Sequence, residues 1–92
     1  MFGEIPSIRI ELFGMARLRA GRADFISHAA TIREALDQLA ESCPNLVGMI
    51  QADGRLSPRY LISVNAGPFV TDLHQLLKTG DRLLLLSADA GG

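Results

Sequence analysis

The sequence predicts a two-layer α+β domain in which a mixed sheet wraps one main helix. Three observations carry this expectation. A run with period-two alternation, Ser7-Ile8-Arg9-Ile10-Glu11-Leu12-Phe13, opens the ordered part of the chain. A strongly amphipathic helical pattern starts at Thr31 and stops at Pro44. An apolar β-favouring run, Arg82-Leu83-Leu84-Leu85-Leu86-Ser87, comes near the end.

Taken in order, Ile8, Ile10 and Leu12 alternate with Arg9 and Glu11, as expected of a half-buried strand that Gly14 stops. Residues 15–21, ending in Gly21, read as a loop. Residues 23–28 then read as a second strand that closes a hairpin. Thr31-Ile32-Arg33-Glu34 fits a capping box, in which the Thr hydroxyl takes an orphan amide and the Glu reaches back. Ile32, Ala35, Leu36, Leu39 and Ala40 fall on one face of the helix that follows, and Arg33, Glu34, Asp37, Gln38 and Glu41 on the other. Pro44 ends it. Leu46, Val47, Met49 and Ile50 suggest a short turn tucked under the core, and Asp53-Gly54 signals another turn. Tyr60–Val64 reads as a central strand, Asn65-Ala66-Gly67 as a turn, and Pro68-Phe69-Val70 as a short edge strand. Lys78–Asp81 is a turn before the last strand. The expected order is β-β-α-β-β-β, with the first and last strands paired in parallel, which is the β-grasp arrangement. The domain is expected over residues 1–87, with a slim tail over 88–92.

Composition narrows the function classes. A chain of 92 residues suits one domain with a modest core. With 48% hydrophobic and 21% charged residues it has the balance of a folded protein rather than a disordered one. A formal net charge of −1 gives no electrostatic case for nucleic acid. Arg17, Arg19 and Arg22 form a local basic cluster that reads as a solvated loop. The one cysteine, Cys43, allows no internal disulfide and reads as a small buried hydrophobe. Met1–Pro6 lacks the basic and apolar pattern of a signal peptide, and no apolar run approaches the roughly 20 residues that span a bilayer. The expected location is therefore the cytoplasm. His28 and His74 stand apart with no metal-ligand spacing around them, Asp53 and Asp81 read as turn formers, and no nucleophile–base arrangement is spelled out.

The informative feature is the ending, Ala88-Asp89-Ala90-Gly91-Gly92. Two final glycines arise by chance in roughly 0.5% of chains. Without a Cβ, Gly91-Gly92 can lie extended in a channel too narrow for other residues. A terminal carboxylate is a poor electrophile until it is converted to an acyl-adenylate. A persulfide can then attack, and the route leads to a terminal thiocarboxylate whose sulfur is a strong nucleophile. None of these steps needs a catalytic side chain in the carrier.

Several segments together carry a family resemblance: Ile10–Gly14, Ala30–Leu36 through Leu39-Ala40-Glu41 to Pro44, Ile62–Asn65, Leu77–Asp81, and the closing Ala90-Gly91-Gly92. In this order and spacing the chain resembles the molybdopterin synthase small subunit and the thiamine-pathway sulfur carrier, ubiquitin-like β-grasp proteins. The resemblance implies that Gly92 carries the chemistry, with Gly91 and Ala90 entering a partner's channel. It implies an ATP-using, ubiquitin-activating-like enzyme that adenylates Gly92, and a larger catalytic subunit that takes the sulfur. The chain itself would be a non-catalytic carrier with no bound cofactor and no metal. Family members often have prolines and an apolar residue before the glycines, where this chain has Ser87-Ala88-Asp89-Ala90.

In Leu83–Leu86 both faces of the last strand are apolar, so one face belongs to the core and the other is left over. Two readings of the second face stand open: a partner-docking surface of Leu84 and Leu86 joined by Phe13 and Phe69, or a face covered by loops of the same chain. Three functions also stand open: a sulfur carrier for molybdopterin, thiamine or cysteine synthesis; a protein modifier conjugated through Gly92; and a non-covalent interaction module.

Overall fold

The structure is a computed structural model that describes residues 5–46 and 48–88. Its elements are β1 (Ser7–Leu12), α1 (Gly14–Ala20), β2 (Asp24–His28), α2 (Ile32–Ser42), β3 (Tyr60–Val64) and β4 (Arg82–Ser87). The four strands form one sheet in the order β2-β1-β4-β3. β1 runs antiparallel to β2 and parallel to β4, and β3 runs antiparallel to β4. The first and last strands therefore lie side by side in parallel, as the sequence pattern required. The expectations for Met1–Glu4, for Val47 in the buried turn, and for Asp89, Ala90, Gly91 and Gly92 lie outside the described residues.

Alternation decides which side chains make the core. Ile8, Ile10 and Leu12 of β1, Ile62 of β3, and Leu83 and Leu85 of β4 point inward and are fully buried. They meet the apolar stripe of α2, formed by Ile32, Ala35, Leu36 and Leu39. Each buried Leu or Ile contributes about 1.5–3 kcal/mol relative to exposure, so this double layer is the main driving force of the fold. Leu46 and Met49 fill the core from below, as the turn after Pro44 was expected to do, and Cys43 is buried with them.

The helix boundary follows the expected chemistry with one change. Thr31 is extended and its Oγ1 accepts the Glu34 amide at 3.2 Å, closing half of the capping box. The other half differs: the Glu34 carboxylate accepts the Thr31 hydroxyl at 3.3 Å. At the far end Cys43 N–H bonds to Leu39 O, and Pro44 follows.

Two expectations need correction. Residues 15–21 do not form a loop; Gly14–Ala20 is a seven-residue helix. Met15-Ala16-Arg17-Leu18-Arg19-Ala20 is a run of good helix formers. Ala16 docks in the core and Gly21, at φ 74°, supplies the left-handed C-terminal residue that an L side chain resists. The run is too short to show an apolar period in sequence. Second, Pro68-Phe69-Val70 is not a strand. It touches β3 through one bridge, Ser63 with Phe69, and one bond, Val70 N–H to Ile62 O at 2.9 Å. The chain then leaves the edge of the sheet to bury Leu73.

The turn that feeds β4 is held by side chains. Asn65 Nδ2 donates to Asp81 Oδ1 at 3.0 Å, Arg82 N–H donates to Asn65 Oδ1 at 2.9 Å, and Lys78 N–H donates to Asp81 Oδ2 at 2.8 Å. The Asn65 bond, followed by the Lys78 amide, lowers the Asp81 pKa below the usual carboxylate value. Asn65 and Ala66 both take positive φ, 54° and 61°, the geometry of a tight hairpin turn between β3 and its return.

Candidate functional site

Four of the site candidates from the sequence, Phe13, Phe69, Leu84 and Leu86, lie on the outer face of the sheet around the second half of β4. The register sets the neighbours. Leu84 stands between Glu11 of β1 and Ser63 of β3, and Leu86 stands opposite Leu61 of β3. Phe13 directly follows β1 and donates its N–H to Leu85 O at 3.0 Å, so it sits beside the last residues of β4. Phe69 bridges to Ser63 from the other side. Leu84, Leu86 and Leu61 are half-buried, whereas Phe13 and Phe69 are 43% and 57% exposed. Among the described residues this row is therefore neither sealed from solvent nor fully open to it.

The outer face is divided by chemistry. Toward β2 and the start of β4 it is charged: Arg9 pairs with Asp24 at 2.7 Å, and Arg82 approaches Glu11 at 3.8 Å. Toward the end of β4 it is apolar. Single exposed hydrophobics are ordinary, but Phe13, Leu84, Leu86, Leu61 and Phe69 are contiguous through the strand register, and contiguity is what marks an interaction surface. The root of the tail is fixed: Ala88 N–H donates to Arg59 O at 2.7 Å, so the ladder with β3 continues one residue past the strand. The structure thus brings together Phe13, Phe69, Leu84 and Leu86, while Ala90, Gly91 and Gly92 belong to the undescribed end.

Sequence reading missed Leu61, which completes the patch, Arg59, whose carbonyl holds the root of the tail, and Arg55, which lines the neighbouring groove. Leu61 sits in the continuous run Tyr60–Val64, which by itself does not say which residues face outward. The other candidates keep their structural roles. His28 offers its backbone to Gln38, the His74 amide donates to Asp72 Oδ1, and Asp53 Oδ1 caps the Arg55 amide in its turn. Among the described residues no group of three or more His, Cys, Asp or Glu could hold a metal ion, and no helix is long and apolar enough to cross a membrane.

No family model matches the sequence, and a search of curated proteins found no match. Solved structures do match. The chain superposes on SAMP1 from Haloferax volcanii with a TM-score of 0.80 and 28% identity, over 94% of this chain and 99% of that one. It superposes on a chain of the BexX/CysO complex from Amycolatopsis orientalis with a TM-score of 0.75 and 21% identity, over 92% and 99% of the two chains. A third match, described as molybdopterin converting factor subunit 1 from Pyrococcus furiosus, has a TM-score of 0.71 and 18% identity, over 89% and 97%. At these identities the last two speak for the fold alone, and it is the same fold throughout. Strand order, the single main helix and these neighbours give the chain the β-grasp fold of ubiquitin-like proteins, and it is similar to SAMP1, a small archaeal modifier protein.

Proposed function

We propose that the chain is a sulfur carrier whose Gly92 carboxylate is adenylated, converted to a thiocarboxylate and used to donate sulfur in cofactor synthesis, with molybdopterin as the favoured destination. The observation that carries this reading is the placement of the apolar patch. Phe13, Leu84, Leu86 and Phe69 lie on the face where β4 ends, so a partner that docks there receives the Gly-Gly tail in the same encounter. The fixed root at Ala88 aids this by setting the direction in which the tail departs.

The chemistry assigns the carrier a limited role. An activating enzyme joins the Gly92 carboxylate to AMP from ATP, releasing pyrophosphate. A persulfide sulfur displaces AMP to give an acyl disulfide, and a second thiol attacks its other sulfur, forming a disulfide with the donor and releasing the thiocarboxylate. The carrier supplies the tail and the docking face, and catalysis rests with the activating enzyme and the sulfur-accepting subunit. ATP is used by the former and is not held by this chain. The name of the Pyrococcus neighbour favours a molybdopterin synthase large subunit as the acceptor. Thiamine and cysteine synthesis use the same carrier chemistry with other acceptors, and the intracellular setting of these pathways suits a cytoplasmic protein.

A second reading is favoured by the SAMP1 match, because SAMP1 is a small archaeal modifier protein. In that case the activated Gly92 is transferred to a lysine amine. Both readings need Gly92, whereas a purely non-covalent module does not. Deleting Gly92 and assaying pathway output separates them: the carrier and modifier readings require loss of output, and unchanged output removes both.

A further inference from the structure

We infer that the free edge of β3 is a second docking site, built to accept a short extended segment of a partner protein, acidic at its N-terminal end and apolar behind it, as a fifth, parallel strand. The inference goes beyond the role of the tail and does not depend on it.

The two edges of the sheet differ. On β2 the bonds Leu12 N–H to Ala23 O and Ala29 N–H to Pro6 O set the alternation, so the backbone groups of Asp24, Ile26 and His28 face outward. Three of these six groups are occupied, at the two ends of the strand. Arg22 Nε donates to Asp24 O at 2.6 Å, and the Gln38 amide both accepts from His28 N–H and donates to His28 O, imitating a neighbouring strand. Such contacts hinder pairing at the two ends of β2 and leave the groups of Ile26 between them open.

On β3 the bonds Asn65 N–H to Arg82 O and Ala88 N–H to Arg59 O turn the groups of Tyr60, Ile62 and Val64 outward. Ser57 O takes Tyr60 N–H, Val70 N–H takes Ile62 O, and Gly67 N–H takes Val64 O. That leaves Tyr60 C=O, Ile62 N–H and Val64 N–H facing the edge, the first two on either side of Leu61. One residue of an incoming parallel strand satisfies both, donating its N–H to Tyr60 O and accepting Ile62 N–H with its own carbonyl. The space for it lies alongside Tyr60 and Leu61, because residues 69–70 hold the edge only at Ser63 and Ile62. The result is a groove of about 630 Å³ whose walls include Leu56, Pro58 and Tyr60 on one side and Phe69, Val70 and Thr71 on the other.

Charge sets the polarity of the occupant. Arg55 lines the groove and Arg59 opens β3, both are exposed, and no carboxylate among the described residues pairs with either. They stand at the end where a parallel strand would begin. Asp72, next in sequence to the groove residue Thr71, already accepts the His74 amide. An acidic N-terminal flank therefore meets the two arginines, and apolar side chains behind it meet the walls. Leu61 and Phe69 belong to both the groove and the outer-face patch, so one partner can engage the two without a gap. Main-chain bonds supply affinity and the flanking charges supply orientation, as in other strand-addition complexes.

The test is an amide NMR titration of the full chain with the synthetic peptide acetyl-Glu-Asp-Val-Leu-Val-Thr-amide. Saturable shifts at Leu61, Ile62 and Thr71, with slowed hydrogen exchange at Ile62, are expected. Methylating alternate peptide nitrogens should abolish them. Replacing the two acids by lysine, or combining Arg55→Glu with Arg59→Glu in the protein, should weaken binding about fivefold or more. The inference is overturned by no saturation at millimolar peptide, by shifts confined to β2 or to Phe13 and Leu84, or by equal binding of the methylated peptide. Shifts that follow protein concentration without peptide would assign the groove to a second copy and overturn it as well.

Discussion

Gln38 joins the main helix to the sheet edge, and its removal has a calculable cost. The side chain leaves α2 and makes three bonds: Oε1 accepts from Ser27 Oγ at 2.6 Å and from His28 N–H at 3.1 Å, and Nε2 donates to His28 O at 2.6 Å. In Gln38→Ala the three losses are unequal. His28 is exposed and its backbone groups regain water, so each of those bonds is worth a few tenths of a kcal/mol. Ser27 is 1% exposed, and its hydroxyl loses that acceptor in a place water hardly reaches. A buried polar group left in that state costs about 1–3 kcal/mol. The expected loss is therefore about 2 kcal/mol, or about 8–16 °C in Tm for a domain of this size. Urea unfolding followed by far-UV circular dichroism reads it, because the chain has no tryptophan. The m-value should not change. In the double variant with Ser27→Ala most of the loss should return, since the buried hydroxyl is gone as well. A loss below about 0.5 kcal/mol for Gln38→Ala would refute the reasoning, as would a double variant no more stable than the single one.

Three further outcomes are expected. Thr31→Ala removes the acceptor of the Glu34 amide and should cost about 1 kcal/mol in the same urea assay, whereas Thr31→Ser should cost much less. The folded-state pKa of Asp81 is lowered, so its contribution is full above the ordinary aspartate value of about 3.9 and is lost as the pH falls through the lower folded value. Asp81→Asn should therefore flatten the acid side of a stability–pH curve and leave its shape at neutral pH unchanged. Phe13→Ser and Phe69→Ser alter exposed rings and should shift stability by less than about 1 kcal/mol. The same changes should raise the KM of a sulfur-accepting enzyme for the thiocarboxylated carrier while sparing its kcat.

The fold was legible where one physical signal dominated. Period-two alternation in Ser7–Leu12 and the apolar stripe of Ile32–Leu39 can be satisfied only by burying one face, and both elements formed as expected. The parallel pairing of β1 with β4 followed from the order of the elements. The α1 helix was not legible, because seven residues with one buried position, Ala16, carry no period. Pro68-Phe69-Val70 has strand-like residues, yet Pro68 has no amide to donate and the chain turns inward to bury Leu73. The outer apolar row was half legible. Leu84 and Leu86 could be read from an all-apolar strand, but Leu61 entered only through the register with Leu86. Arg55 and Arg59 lie outside any regular pattern, and only the fold puts them beside the groove and the tail root.

The most direct test of the central claim is the intact mass of the protein after incubation with ATP, a ubiquitin-activating-like enzyme and a persulfide donor, with fragmentation to locate any change. The account requires a species in which one oxygen is replaced by sulfur, mapped to Gly92 and absent when Gly92 is deleted. Unmodified protein under these conditions, or sulfur held elsewhere, such as on Cys43, would contradict it.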